Sequence, residues 1–300
     1  MPMPHQDLAR GALLMILAEF AFASMGALIR LLSGEVSNEV IVFFRNAVAL
    51  LLFLPWLLRQ RGEGLRTAVF GLHLSRSLVG LAAMYCFFYS IAHLHLAEAM
   101  LLKLTAPLFI PFVALLWLGE TIPPRVRWAL PIGFGGVALI LGPSFAPGAL
   151  TGDAALVALA GGLLAAIALT GVRRLGRTEP PGRTVFYFSL IATLVSALPL
   201  WWAWRPPSSL ALAGLLGVGV LATLGQLLLT RSLAIAPVGR IGPFAYTSVL
   251  FAAAYGWLGW GEVIALPGLL GGLLVLVSLW LARSRGGQGT PAIAPAISAR

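Results

Sequence analysis

Apolar runs of about 20 residues recur ten times along this chain, most of them ended by a short cluster of Pro, Gly, Arg or other polar residues. A helix rises 1.5 Å per residue, so such a run crosses the roughly 30 Å hydrocarbon core of a bilayer. The runs lie at about 11–32, 39–58, 69–91, 95–118, 126–143, 153–172, 184–204, 210–233, 240–259 and 267–283. Turn chemistry separates several of them, as in TIPPR at 121–125, GPSFAPG at 142–148, TEPPG at 178–182 and RPPSS at 205–209. The pattern predicts an all-α membrane protein of ten transmembrane helices. Its first run is too long for a signal-peptide core and has no cleavage pattern behind it, so it is expected to stay as a permanent span. Residues 286–300, GGQGTPAIAPAISAR, lack any helical period and are expected to form a disordered tail.

A second periodicity overlies the first. Residues 88–122 read again without a gap at 230–264, with nine of 35 positions identical, among them Thr105/Thr247, Gly119/Gly261 and Glu120/Glu262. The copies occupy spans 4 and 9. An odd number of spans, five, separates them, so they run through the membrane in opposite senses, a duplication common in secondary transporters. The expected organisation is a five-helix repeat over 1–148, an inverted five-helix repeat over 149–285 and the tail at 286–300. VFFRNAVALLLFLPW at 42–56 and FYFSLIATLVSALPL at 186–200 superpose more weakly, with their prolines aligned.

Composition agrees with the span count. The 300 residues are 59% hydrophobic and only 10% charged, with a mean hydropathy of +0.94, whereas soluble domains carry about 25% charged residues. The net charge of +10 could point to nucleic acid, but its distribution assigns it to the positive-inside rule instead. Sixteen basic residues, from Arg10 to Arg300, fall on the side of both termini, and only Arg30 and Arg205 on the other. Both termini are therefore expected in the cytoplasm, in a bacterial cytoplasmic membrane, with the lipid bilayer as partner and no nucleic acid. Cys86 is the single cysteine, and His73, His93 and His95 lack the carboxylate or cysteine companions of a metal site, so they are expected to be interface histidines and no metal or cofactor is expected.

Polar residues inside spans are where chemistry is expected, because they are expensive there. Lys103, the only lysine, lies near the middle of span 4, where an ammonium costs at least about 2.5–3.5 kcal/mol. It suits a substrate carboxylate, the rival readings being snorkelling or a fixed ion pair. Glu19 is the deep carboxylate of span 1; paired with Arg76 or Lys103 it is structural, unpaired in a cavity it is a proton carrier. Arg45, in span 2, is shallow enough to snorkel toward the headgroups. Ser24, Tyr85, Tyr89, Thr105, Gln226, Thr230, Tyr246 and Ser248 complete the candidate cavity lining, each equally able to form a plain interhelical hydrogen bond. Glu120 and Glu262 are expected to cap loops or pair with nearby arginines. Most tryptophans sit at span ends as an aromatic belt. Gly133, Gly135 and Gly136 of span 5 and Gly268, Gly271 and Gly272 of span 10 predict close helix contact within each repeat, or a dimer contact; a monomer or weak dimer is expected.

FFRNAVALLLFLP in span 2, LTAPLF and the terminal LGE of span 4, and the Gly-rich GFGGVALILG after it resemble the EamA-type, ten-span members of the drug/metabolite transporter superfamily. The second half shows the same features at YTSVLF, GWGE and GLLGGLLVLV, with Ser189 in place of Arg45 and Val249 in place of Pro107. The resemblance covers residues 11–284. It implies a secondary transporter exporting small metabolites by alternating access around a central cavity, Arg45 matching the family arginine. The branch it looks most like is the bacterial amino-acid exporters, aromatic amino acids first. Lipid, nucleotide-sugar or drug transport on the same fold is the alternative. An intramembrane enzyme is less expected, since neither HExxH nor GxSxG occurs.

Overall fold

A computed structural model describes residues 5–59, 66–119, 121–122, 124–142, 152–176, 178–179, 181–235 and 242–282. Glu120 and the 286–300 tail lie outside these residues. The described chain is helical throughout. The first half comprises α1 (His5–Leu32), α2 (Asn38–Arg59), α3 (Phe70–His93), α4 (Leu96–Lys103), α5 (Ala106–Leu118) and α6 (Pro124–Leu141). The second comprises α7 (Gly152–Leu175), α8 (Pro181–Ala197), α9 (Leu200–Ala203), α10 (Ser209–Ile235), a 3₁₀ turn (Gly242–Tyr246), α11 (Thr247–Trp260) and α12 (Leu266–Leu281). Counting α4 with α5, α8 with α9, and the 3₁₀ turn with α11, these make ten crossing segments. Five of them are individually long and apolar enough to cross a membrane.

Three segments expected to be continuous are broken, and proline explains two of them. Pro107 has no N–H for the Lys103 carbonyl, and its ring crowds that carbonyl, so span 4 interrupts at Leu104 and Thr105 with i to i+3 bonds, Thr105 N–H to Leu102 O at 3.0 Å. Pro199 breaks span 7 in the same way. In span 9 the change from 3₁₀ turn to α-helix falls at Thr247, the repeat counterpart of Thr105. Each threonine turns its hydroxyl back on the chain, Thr105 to Leu102 O at 2.6 Å and Thr247 to Phe244 O at 2.7 Å. The matched helices also end alike, at Gly119 with φ 66° and Gly261 with φ 64°, a left-handed cap that glycine adopts without strain.

Packing obeys the duplication. α1 packs on α10 as α7 packs on α3; α2 on α10 as α8 on α3; α1 on α11 as α7 on α5. Exchanging the halves turns each contact into its partner, while α6·α12 and α2·α8 map onto themselves and α4·α11 joins span 4 to span 9. These contacts all join one half to the other, so the halves interlock rather than stand as separate cores. That corrects the expected glycine contacts. A Cβ on Gly136 would lie 2.5 Å from the Gly271 carbonyl oxygen, so α6 and α12 meet backbone to backbone across the halves. Ser278 tightens the same seam by donating to the Ala129 carbonyl at 2.7 Å. Trp128, Trp201 and Trp202, which are 71–94% exposed, ring the outside at helix ends.

Candidate substrate cavity

A cavity of about 510 Å³ lies between the halves, walled by α1, α2, α3, α4, α7, α10 and the 3₁₀ turn before α11. Its volume falls within the roughly 300–1,000 Å³ typical of small-molecule sites. Most of the wall is apolar, from Met15, Phe22, Met25, Met84, Phe87, Phe88 and Leu229. Lys103, Glu19, Arg45 and Gln226 bring polar groups into it. Small residues make the room: Gly161 and Gly162 let α7 approach closely, a Cβ on Gly161 falling 2.8 Å from the Cβ of Cys86.

Lys103 reaches the cavity from the last turn of α4, just before the proline break. Its ammonium lies 5.0 Å from the Phe22 ring centre and 5.4 Å from that of Phe87, two cation–π contacts. Its repeat counterpart, Ala245, lines the same cavity, so one charge faces a methyl group across the pseudo-symmetric pair. Glu19 is only 6% exposed. It lies within electrostatic range of Lys103 and beside the Ser248 hydroxyl. Among the described residues it forms no ion pair within 4.0 Å. Pairing of Glu19 with Arg76 or Lys103 is therefore not what the structure has.

Arg45 and Arg76 differ from their sequence expectations. Arg45 turns into the cavity instead of snorkelling to headgroups. Its Nη1 donates to Asn46 Oδ1 at 2.9 Å, and Asn46 is fully buried with Nδ2 donating to the Val42 carbonyl, also at 2.9 Å. Arg76 stacks on Phe188 of α8, 4.1 Å from guanidinium to ring centre, with Nε and Nη1 buried and without a hydrogen-bond partner. Both residues lie on the helices expected of them, but the direction around the helix decided their partners.

The remaining candidates lie outside the cavity wall. Ser24 bonds the Tyr255 hydroxyl at 2.8 Å, tying α1 to α11. The Tyr85 hydroxyl is buried without a partner. Tyr89 stacks on His93 with ring centres 4.0 Å apart. Thr105 is fully buried and packs on Gly162. Thr230 returns its hydroxyl to the Gln226 carbonyl at 2.7 Å. Tyr246 closes the 3₁₀ turn, and Ser248 donates to the Ala245 carbonyl at 2.9 Å. Phe22 and Phe87, which hold the lysine, carried no sequence signal beyond being apolar.

Beyond the cavity residues Met25, Ser90 and Ala99, a polar tie joins α1, the α3–α4 corner and the segment after α11. Arg30, at the end of α1, donates through Nη2 to Glu262 Oε1 at 2.8 Å and through Nη1 to the carbonyls of Ile91 and Leu94. Glu262 Oε2 accepts the Leu96 N–H at 2.8 Å, at the start of α4, where a carboxylate also suits the helix dipole. Ile29, Val36, Val40, Ile91, Leu96 and Leu215 are all buried in one hydrophobic cluster. Glu262 thus pairs with an arginine as the sequence led one to expect.

The histidines need correction. His73, in the first turn of α3, is 1% exposed, stacked on Tyr187 with ring centres 4.6 Å apart, and has a carboxylate companion, Nε2 lying 3.6 Å from Glu179 Oε2. Glu179, in the α7–α8 connection, also accepts from Thr67 at 2.8 Å and Arg183 at 2.7 Å. Burial pushes its carboxyl pKa up, but the bonds from Arg183 and Thr67 and the nearby cations outweigh this, so it lies below the usual carboxylate value. His95 likewise has a carboxylate companion, Glu98, at 3.6 Å.

Comparison with known proteins fits this geometry. The EamA-like transporter family matches twice, over residues 9–142 and 153–284, together most of the chain. A pseudopaline exporter, CntI, of Pseudomonas aeruginosa (strain UCBPP-PA14) is 36% identical over 94% of this chain and 98% of its own length. A riboflavin transporter of Vibrio cholerae serotype O1 is 28% identical over 93% of this chain and 94% of its own. A solved crystal structure superposes with a TM-score of 0.63 over 91% of this chain and 97% of that one, at 17% identity, which shows the fold alone.

Proposed function

Since the chain belongs to the EamA-like transporter family, and is a multi-pass transporter rather than an enzyme, we propose that it exports a small metabolite bearing a carboxylate, bound at Lys103. The supporting observation is a cavity ammonium with two aromatic faces and no carboxylate within 4.0 Å among the described residues. A lysine within hydrocarbon costs about 2.5–3.5 kcal/mol or more. Two cation–π contacts of about 0.5–2 kcal/mol each offset part of this, and a substrate carboxylate supplies the rest. Glu19, across the cavity, suits the amine of a zwitterion. Export is the direction named for the pseudopaline relative. The broken spans 4 and 9 are where the halves would bend as the site alternates between faces.

The narrower expectation of amino-acid export, aromatic first, has no support in the relatives described above. A second reading, a riboflavin-like planar substrate, is favoured by the Phe22, Phe87 and Phe88 rings on the wall. Proteoliposomes loaded with labelled phenylalanine, pseudopaline or riboflavin separate these readings. The expected result is efflux of pseudopaline at least tenfold above protein-free vesicles, falling at least tenfold in Lys103→Ala, with phenylalanine as the test of the narrower expectation. Riboflavin efflux alone, unchanged in Lys103→Ala, contradicts the proposal.

A further inference from the structure

Charge around the cavity does not balance. Lys103 and Arg45 line it, with Arg76 one layer behind, while Glu19 is the one carboxylate on its wall among the described residues. No described Asp or Glu comes within 4.0 Å of any of the three cations. Uncompensated guanidinium groups in a low-dielectric setting are strongly unfavourable, and in spans they ordinarily pair or face a pathway. Arg45 does face the cavity.

Its mounting is also specific. Asn46 spends its Nδ2 on the Val42 carbonyl, with the Met84 sulfur 3.6 Å away, which fixes the amide so that Oδ1 points to Arg45. That one neutral acceptor holds the guanidinium in place without neutralising it, and leaves most of its five donors for another partner. Behind this wall, Phe188 approaches Gly80 of the cavity lining, with its edge 3.2 Å from where a Cβ would stand, and carries Arg76 on its ring. Arg76 adds positive potential on the same side without entering the cavity.

From this geometry we infer that Arg45 is a second anion subsite, so that the exported molecule carries two acidic groups, one for Lys103 and one for Arg45, with an amine for Glu19. The planar fork of arginine binds a carboxylate through two parallel bonds, which lysine cannot do. In the duplicated half the matching position is Ser189, so the subsite, like Lys103, exists once. The assignment rests on the carboxylate reading given above and adds a second contact to it.

Two matched probes test it: N-methylphenylalanine, with one carboxylate, and N-carboxymethylphenylalanine, with two. Their affinities are measured by isothermal titration calorimetry on the full chain in nanodiscs. The wild type is expected to bind the dicarboxylate at least tenfold more tightly. Arg45→Gln removes that preference while changing the N-methyl probe by less than about threefold, and Arg45→Lys restores part of it. Lys103→Ala weakens both probes. If the N-methyl probe binds in a Lys103-dependent way and the second carboxylate adds nothing, the subsite falls and the carboxylate reading stands. If neither probe binds the wild type, both fall.

Discussion

Replacing Glu262 by Gln should loosen the tie between α1, the α3–α4 corner and the segment after α11. Glu262 accepts two hydrogen bonds, from Arg30 Nη2 and the Leu96 N–H, both at 2.8 Å. The pair is largely shielded, with side chains 19% and 8% exposed. Hydrogen bonds to charged groups contribute about 1.5–3 kcal/mol each. Glutamine keeps a neutral bond to Leu96, and Arg30 keeps the Ile91 and Leu94 carbonyls, so the differential loss is about 2 kcal/mol, roughly a 30-fold shift toward opening. Arg30 stays attached to the α3–α4 corner while the glutamine holds that corner through the Leu96 bond alone, so the segment after α11 is the part that is loosened. Spin labels at Leu31→Cys and Val263→Cys, in a Cys86→Ala background, report this separation by double electron–electron resonance; both sites are exposed. A longer distance should grow from a minor to a major population in Glu262→Gln. Superimposable distance distributions refute the reasoning.

Gly136→Ala should destabilise the protein by about 1–3 kcal/mol, because the new methyl meets the Gly271 backbone, which cannot give way like a side-chain end. Thermal unfolding in detergent checks this, and an unchanged Tm contradicts it. For Glu179, a folded-state pKa below the ordinary 4.5 means that its stabilisation is complete above about pH 4.5 and is lost as pH falls through the lowered value. The drop in Tm between pH 6 and pH 3 should therefore be larger in the wild type than in Glu179→Gln; equal drops contradict this.

Span number and the repeat were legible in the chain because a bilayer imposes a length and an inverted duplication leaves matched motifs. Lys103, Glu19 and Gln226 stood out because polar groups are rare in hydrocarbon, and the structure brings all three to one cavity. What depth does not encode is azimuth. Arg45 and Arg76 lie on the expected helices, yet one faces the cavity and the other stacks on Phe188, a residue more than 100 positions away. Tyr85 and Tyr89 share a helix face, but that face packs into the core clusters. The Gly136–Gly271 contact joins the halves, which a search for close contact within one repeat could not reveal. The helix breaks did have a signal, since Pro107 follows the shared Thr105 by two residues.

Because Lys103 is the only lysine, its engagement by substrate can be read directly. Purified protein in nanodiscs is treated with an amine-acetylating reagent, and modification of the Lys103 peptide is followed by mass spectrometry with and without a saturating transported substrate. The expected result is that substrate slows Lys103 acetylation at least fivefold and that fully acetylated protein loses transport. Acetylation at an unchanged rate under saturating substrate, or full transport by the acetylated protein, would contradict the role given to this ammonium.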